Sequence, residues 1–82
     1  MAMYVTIRIA APRDLVPVSM PGVTTAKYAA MRAAETLHLD PEAKDWFLFD
    51  PVTRRPLDEA GCMSAYHDRV LKLDWTEERK GR

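Results

Sequence analysis

Val5, Ile7 and Ile9 alternate with Tyr4, Thr6 and Arg8 at the start of the chain. A period of two puts apolar side chains on one face of a strand and polar ones on the other, so this segment predicts a half-buried strand. Ala10-Ala11-Pro12-Arg13-Asp14 has the composition of a turn, and Leu15 to Met20 reads as a second extended segment. Pro17 has no amide proton to give to a ladder, which assigns this segment to a sheet edge. The short connection between the two predicts an antiparallel hairpin. Pro21-Gly22 then breaks the strand.

The period next changes from two to between three and four. Thr24 or Thr25 offers a hydroxyl as N-cap, and the alanine-rich stretch to about Leu37 predicts the one long helix. Val23, Ala26, Ala30, Ala33 and Leu37 fall on a single stripe, and its small residues let a helix sit close against a sheet. Lys27, Arg32 and Glu35 fall mostly on the outer side, with Tyr28 and Met31 near the boundary. His38 stands where the helix dipole favours it, and Asp40-Pro41 stops the helix.

Trp46-Phe47-Leu48-Phe49 predicts a third strand, followed by a loop with Arg54, Arg55 and Pro56 and by Leu57 as a core anchor. Ala60-Gly61 suggests a short helical turn with a glycine stop. Arg69 to Trp75 is expected to be the last strand, with Leu71, Leu73 and Trp75 on one face and Val70, Lys72 and Asp74 on the other. The expected organisation is one domain over residues 1–75 and a flexible tail over 76–82. The order is strand, strand, helix, strand, short turn, strand. With the first and last strands parallel at the centre it gives an α+β β-grasp, a four- to five-stranded mixed sheet cradling one main helix.

Composition narrows the function. A chain of 82 residues has room for one core, and 48% apolar residues suffice to build it. Twelve basic and twelve acidic residues cancel. That balance argues against a nucleic-acid partner and against a polybasic membrane anchor. The lone Cys62 allows no internal disulfide and is expected to be a small buried hydrophobe. With no secretory-type leader before the first strand and no apolar run long enough to span a bilayer, the expectation is a cytoplasmic protein without membrane insertion.

Candidate chemistry is sparse. Cys62 and His67 are five residues apart, so a nucleophile–base pair is conceivable. His67 and Asp68 are neighbours in a bend and are expected to be solvated rather than to face each other. Two histidines and one cysteine show no metal-ligand spacing, and there is no glycine-rich phosphate loop. No catalytic residue, metal or cofactor is expected, and the chain reads as a non-enzyme.

The opening Tyr4–Ile9 strand, the cap near Thr24, the Leu39-Asp40-Pro41 helix exit, Phe47-Leu48-Phe49 and the Leu57…Gly61…Asp68-Arg69-Val70-Leu71-Lys72-Leu73 ending follow one another as in a known family. Over roughly residues 4 to 75, in order and spacing, the chain resembles the ubiquitin-like proteins. The ending looks most like those of bacteria: modifiers with their own activating and conjugating enzymes, ubiquitin-like parts of type VII secretion systems, and small subunits of diiron aromatic monooxygenases.

The resemblance implies action through protein–protein interaction on the open face of the sheet. If Phe47 and Phe49 point inward, Trp46 and Leu48 point outward beside Val70 and Tyr4 as an apolar patch. Leu48 then matches the central isoleucine of the ubiquitin patch, and Lys72 and Asp74 stand where that patch has a histidine and a valine. The alternative folds Trp46 over the edge of the core and leaves no patch.

The tail Glu77-Glu78-Arg79-Lys80-Gly81-Arg82 resembles a modifier's ending. The implied function is a protein modifier: a peptidase removes Arg82, an activating enzyme adenylates Gly81, and a conjugating enzyme passes it to targets. The tail departs from the family pattern in its single glycine, its trailing Arg82 and its acidic residues. The alternatives are a non-conjugated subunit of a type VII secretion system and a small accessory subunit of a multicomponent diiron monooxygenase.

Overall fold

The computed structural model describes residues 3–76. Strand β1 (Tyr4–Ala10) pairs antiparallel with β2 (Leu15–Pro21), from Tyr4 opposite Pro21 to Ala10 opposite Leu15, which is the expected hairpin. Helix α1 (Ala26–Thr36) follows, then β3 (Asp45–Asp50), the two-residue β4 (Arg55–Pro56), a 3₁₀ turn at Met63–Tyr66 and β5 (Val70–Thr76). The five strands form one mixed sheet in the order β2-β1-β5-β3-β4. Pro17 therefore lies on an edge strand, as its missing amide proton requires. At the centre β1 and β5 run parallel, with Arg8 opposite Val70 and Ile9 opposite Leu71. β3 joins β5 antiparallel, with Leu48 opposite Leu73.

One face of the sheet carries the core. Ile7, Ile9, Met20, Leu48, Met63 and Leu71 are fully enclosed, and Leu57 anchors the loop after β4. α1 lies on this face through Ala26, Ala29, Ala30, Ala33 and Ala34, all buried. A face of methyl groups brings the helix axis close to the sheet, so the large side chains of the core come from the strands and the 3₁₀ turn.

The helix is capped as the sequence suggests at one end and by a different device at the other. Thr25 is the N-cap, its hydroxyl oxygen accepting from the Tyr28 amide at 3.5 Å. Val23, expected on the buried stripe, is 77% exposed because it precedes the cap in the turn. At the C-terminus His38 takes a left-handed conformation (φ 65°). The His38 amide donates to the Glu35 carbonyl and the Leu39 amide to the Ala34 carbonyl. These are the two bonds of a Schellman cap, so His38 serves the helix through its backbone.

Two expectations about the closing segment are overturned. Gly61 closes a turn, its amide donating to the Asp58 carbonyl at 2.9 Å, and the helical turn comes after it, at Met63–Tyr66. Cys62 is exposed, because Met63 beside it takes the core position while Cys62 bridges Thr25. Bonds from the Ala26 amide to the Gly61 carbonyl and from the Met63 amide to the Thr24 carbonyl tie this segment to the start of α1. β5 continues to Thr76, which pairs with Asp45. Among the described residues, no helix is long and apolar enough to cross a membrane.

Candidate interaction face

The run Trp46-Phe47-Leu48-Phe49 is apolar at every position, so either parity of β3 buries two large side chains. Its pairing with β5 decides which two. Residues directly opposite one another share a face of the sheet. Leu48 stands opposite Leu73 and Trp46 opposite Trp75, so Leu48 (1% exposed) and Trp46 (9%) turn into the core with Asp50. The expectation that Trp46 and Leu48 form an outward patch is thereby overturned. The Trp46 indole is pinned by its own bond, Nε1 donating to the Asp40 carbonyl at 2.9 Å.

Phe47 and Phe49 are the side chains on the open face, half-buried, opposite Asp74 and Lys72 respectively. Val70 lies on the same face, 36% exposed, with Arg8 opposite it on β1. Tyr4 shares this face and is 65% exposed. It is four residues upstream of Arg8, about 13 Å along the strand from the Val70 row. The structure thus brings together Val70, Lys72, Phe47 and Phe49, and leaves Tyr4 apart. Four consecutive apolar residues contain no alternation from which the outward pair could be read.

The polar rim of this face is ordered. Arg8 Nη2 lies 3.7 Å from Asp68 Oδ1, and His67 Nε2 lies 3.6 Å from Asp68 Oδ2. The neighbours His67 and Asp68 do meet, against expectation, at a bend where Asp68 is left-handed (φ 64°). The other ring nitrogen, His67 Nδ1, accepts from the Thr6 amide at 3.1 Å. Behind the face, Asp50 Oδ1 accepts from the Val52 amide at 2.9 Å and Asp50 Oδ2 from Arg69 Nη2 at 3.0 Å.

Among the described residues, no hydrogen bond links Cys62 to His67, and no three histidine, cysteine, aspartate or glutamate side chains gather as a metal group. Gly81 and Arg82, which the modifier reading invokes, lie outside the described residues.

A de novo designed protein based on ubiquitin superposes on this chain with a TM-score of 0.67, at 16% identity, over 96% of each chain. The fold is the ubiquitin-like β-grasp. Ubiquitin of Caldiarchaeum subterraneum matches this chain with a TM-score of 0.60 at 13% identity, over 98% of this chain and 100% of that one. The C-terminal ubiquitin-like domain of mouse tubulin-specific chaperone e matches with a TM-score of 0.57 at 12% identity, over 98% and 94%. A chain of the MycP5-free ESX-5 inner membrane complex matches 99% of this chain with a TM-score of 0.55 at 15% identity, and that match spans 22% of the longer chain. No protein-family model matches the sequence, and neither does any curated protein.

Proposed function

We propose that this chain is a non-catalytic ubiquitin-like protein that recognises protein partners through the open face of its sheet. The observation that carries this reading is the placement of Phe47, Phe49 and Val70 on the face away from the helix, with Lys72 and Arg8 beside them. A helix-backed sheet whose outer face presents aromatic and aliphatic side chains within a charged rim has the anatomy of a docking surface. Phe49→Asp and Val70→Asp substitute residues outside the core, so both variants should keep the cooperative unfolding of the parent. Both should lose the parent's partners in pull-downs compared side by side. Retention of those partners by both variants would falsify the reading.

Two finer roles divide on the tail. A subunit of a type VII secretion machine is supported by the likeness to a chain of an ESX-5 inner membrane complex. In that role a chain shortened to residue 76 keeps its partner. A modifier is the role in which Gly81 would be the residue conjugated. In that role incubation with activating enzyme and ATP, after Arg82 is removed, yields an adenylate or thioester that Gly81→Ala abolishes. An accessory subunit of a diiron monooxygenase would instead co-purify in fixed stoichiometry with its hydroxylase.

A further inference from the structure

A second apolar surface lies at the end of the domain from which β5 leaves, where the β1–β2 turn, the exit of α1 and the ends of β3 and β5 converge. They enclose a cleft of about 490 Å³ walled by Leu37, Leu39, Trp46, Leu73 and Trp75. Leu39 is 42% exposed and Trp75 40%, although both are large hydrophobic side chains. Lys44 is the one charged residue in the lining. Its Nζ sits 3.7 Å from the centroid of the Trp75 ring. Among the described residues no carboxylate lies within 4 Å of it, whereas Arg8 and Arg69 meet Asp68 and Asp50. A cation resting on an indole face keeps its remaining N–H donors toward solvent, where an incoming anion can take them.

We infer that this cleft docks a segment of a partner protein that carries a bulky apolar side chain close to a carboxylate. The apolar side chain fills the space between Leu39, Trp46 and Trp75, and the carboxylate accepts from Lys44 Nζ. The cleft has the size of a pocket for a few side chains. Its walls are the residue types that anchor interfaces, and its single positive charge selects an acidic flank over a basic one. This surface is separate from the open face and does not rest on the function proposed for it.

The chain's own two tryptophans both line the cleft, so their fluorescence reports its occupancy without a label. The full chain is titrated with acetyl-Gly-Ser-Phe-Asp-Asp-Ser-Gly-amide and with the same peptide carrying lysines in place of the aspartates. The acidic peptide should give a saturable change, weakened about tenfold by Lys44→Glu and also weakened by Leu39→Ser. Lys44→Glu should in turn prefer the lysine peptide. That exchange of preference distinguishes charge recognition from a fold defect.

The inference is overturned if neither peptide saturates, or if Lys44→Glu leaves both affinities unchanged. It is also overturned if Phe49→Asp rather than Leu39→Ser abolishes the signal, which assigns the peptide to the open face. Binding that emerges only after removal of residues 77–82 makes the chain's own tail the occupant. A fluorescence change with protein concentration alone makes a second copy the occupant. Either result replaces the partner segment.

Discussion

His67 does for β1 what a main-chain carbonyl would otherwise do. Its Nδ1 accepts from the Thr6 amide, just ahead of the Thr6 carbonyl's bond from the Asp68 amide and the Arg8 amide's bond to the Arg69 carbonyl. Nδ1 must therefore be unprotonated, and in the neutral ring the proton sits on Nε2, facing Asp68. A net hydrogen bond is worth about 1 kcal/mol, so His67→Ala should speed amide exchange of Thr6 about fivefold. His67→Asn, which keeps an acceptor, should recover part of it. Equal exchange in all three proteins would remove the role. None of this is legible in the sequence, where His67-Asp68 reads only as a polar bend. Asp50 is a second residue whose place the pattern hides. It is buried, yet both carboxylate oxygens are used, one by the Val52 amide and one by Arg69. Asp50→Ala leaves the Val52 amide without that partner. It should cost about 1–3 kcal/mol, seen as a lower urea midpoint at unchanged slope.

Two elements carry their function in what they lack. α1 presents only alanine methyls to the sheet, and Ala30 is fully enclosed. Ala30→Leu should push the helix away and cost about 1–3 kcal/mol in thermal or denaturant unfolding, although leucine is an excellent helix former. The edge strand β2 lacks donors. The Arg8 amide bonds toward β5, so at the Arg8–Pro17 pair the hydrogen-bonding groups point away from the hairpin. Pro17 and Pro21 thus remove two donors from the free edge. Arg32 Nε occupies another outward group, the Ser19 carbonyl, at 3.1 Å. An edge so blunted resists strand addition. The double variant Pro17→Thr, Arg32→Ala should self-associate in sedimentation experiments at concentrations where the parent does not. The role of Pro17 was legible from its chemistry alone. The contribution of Arg32 was not, since only the packed helix brings it to the strand.

For the whole molecule, the described fold closes at Thr76, the last residue paired with β3. A chain ending there should unfold cooperatively with a stability within about 0.5 kcal/mol of the full chain. A larger loss would assign residues 77–82 a part in the fold. Such a chain also separates the tail-dependent role from the tail-independent one. The order of the main elements, the hairpin, the edge position of β2 and a cap at Thr24 or Thr25 were determined by the sequence itself. Each is written in local terms: a period, a proline, a hydroxyl before an alanine run. The choice of Thr25 and the register of the parallel β1–β5 pair came with the structure. The facing of β3 was decided only in the tertiary structure. Trp46, Phe47, Leu48 and Phe49 satisfy either parity equally. Long-range pairing with Leu73 and Trp75 supplied the missing choice, and with it the identity of the open face. The cleft at the other end has the same origin. Leu39, Lys44, Trp46 and Trp75 meet because β3 begins where β5 ends, beside the exit of the helix.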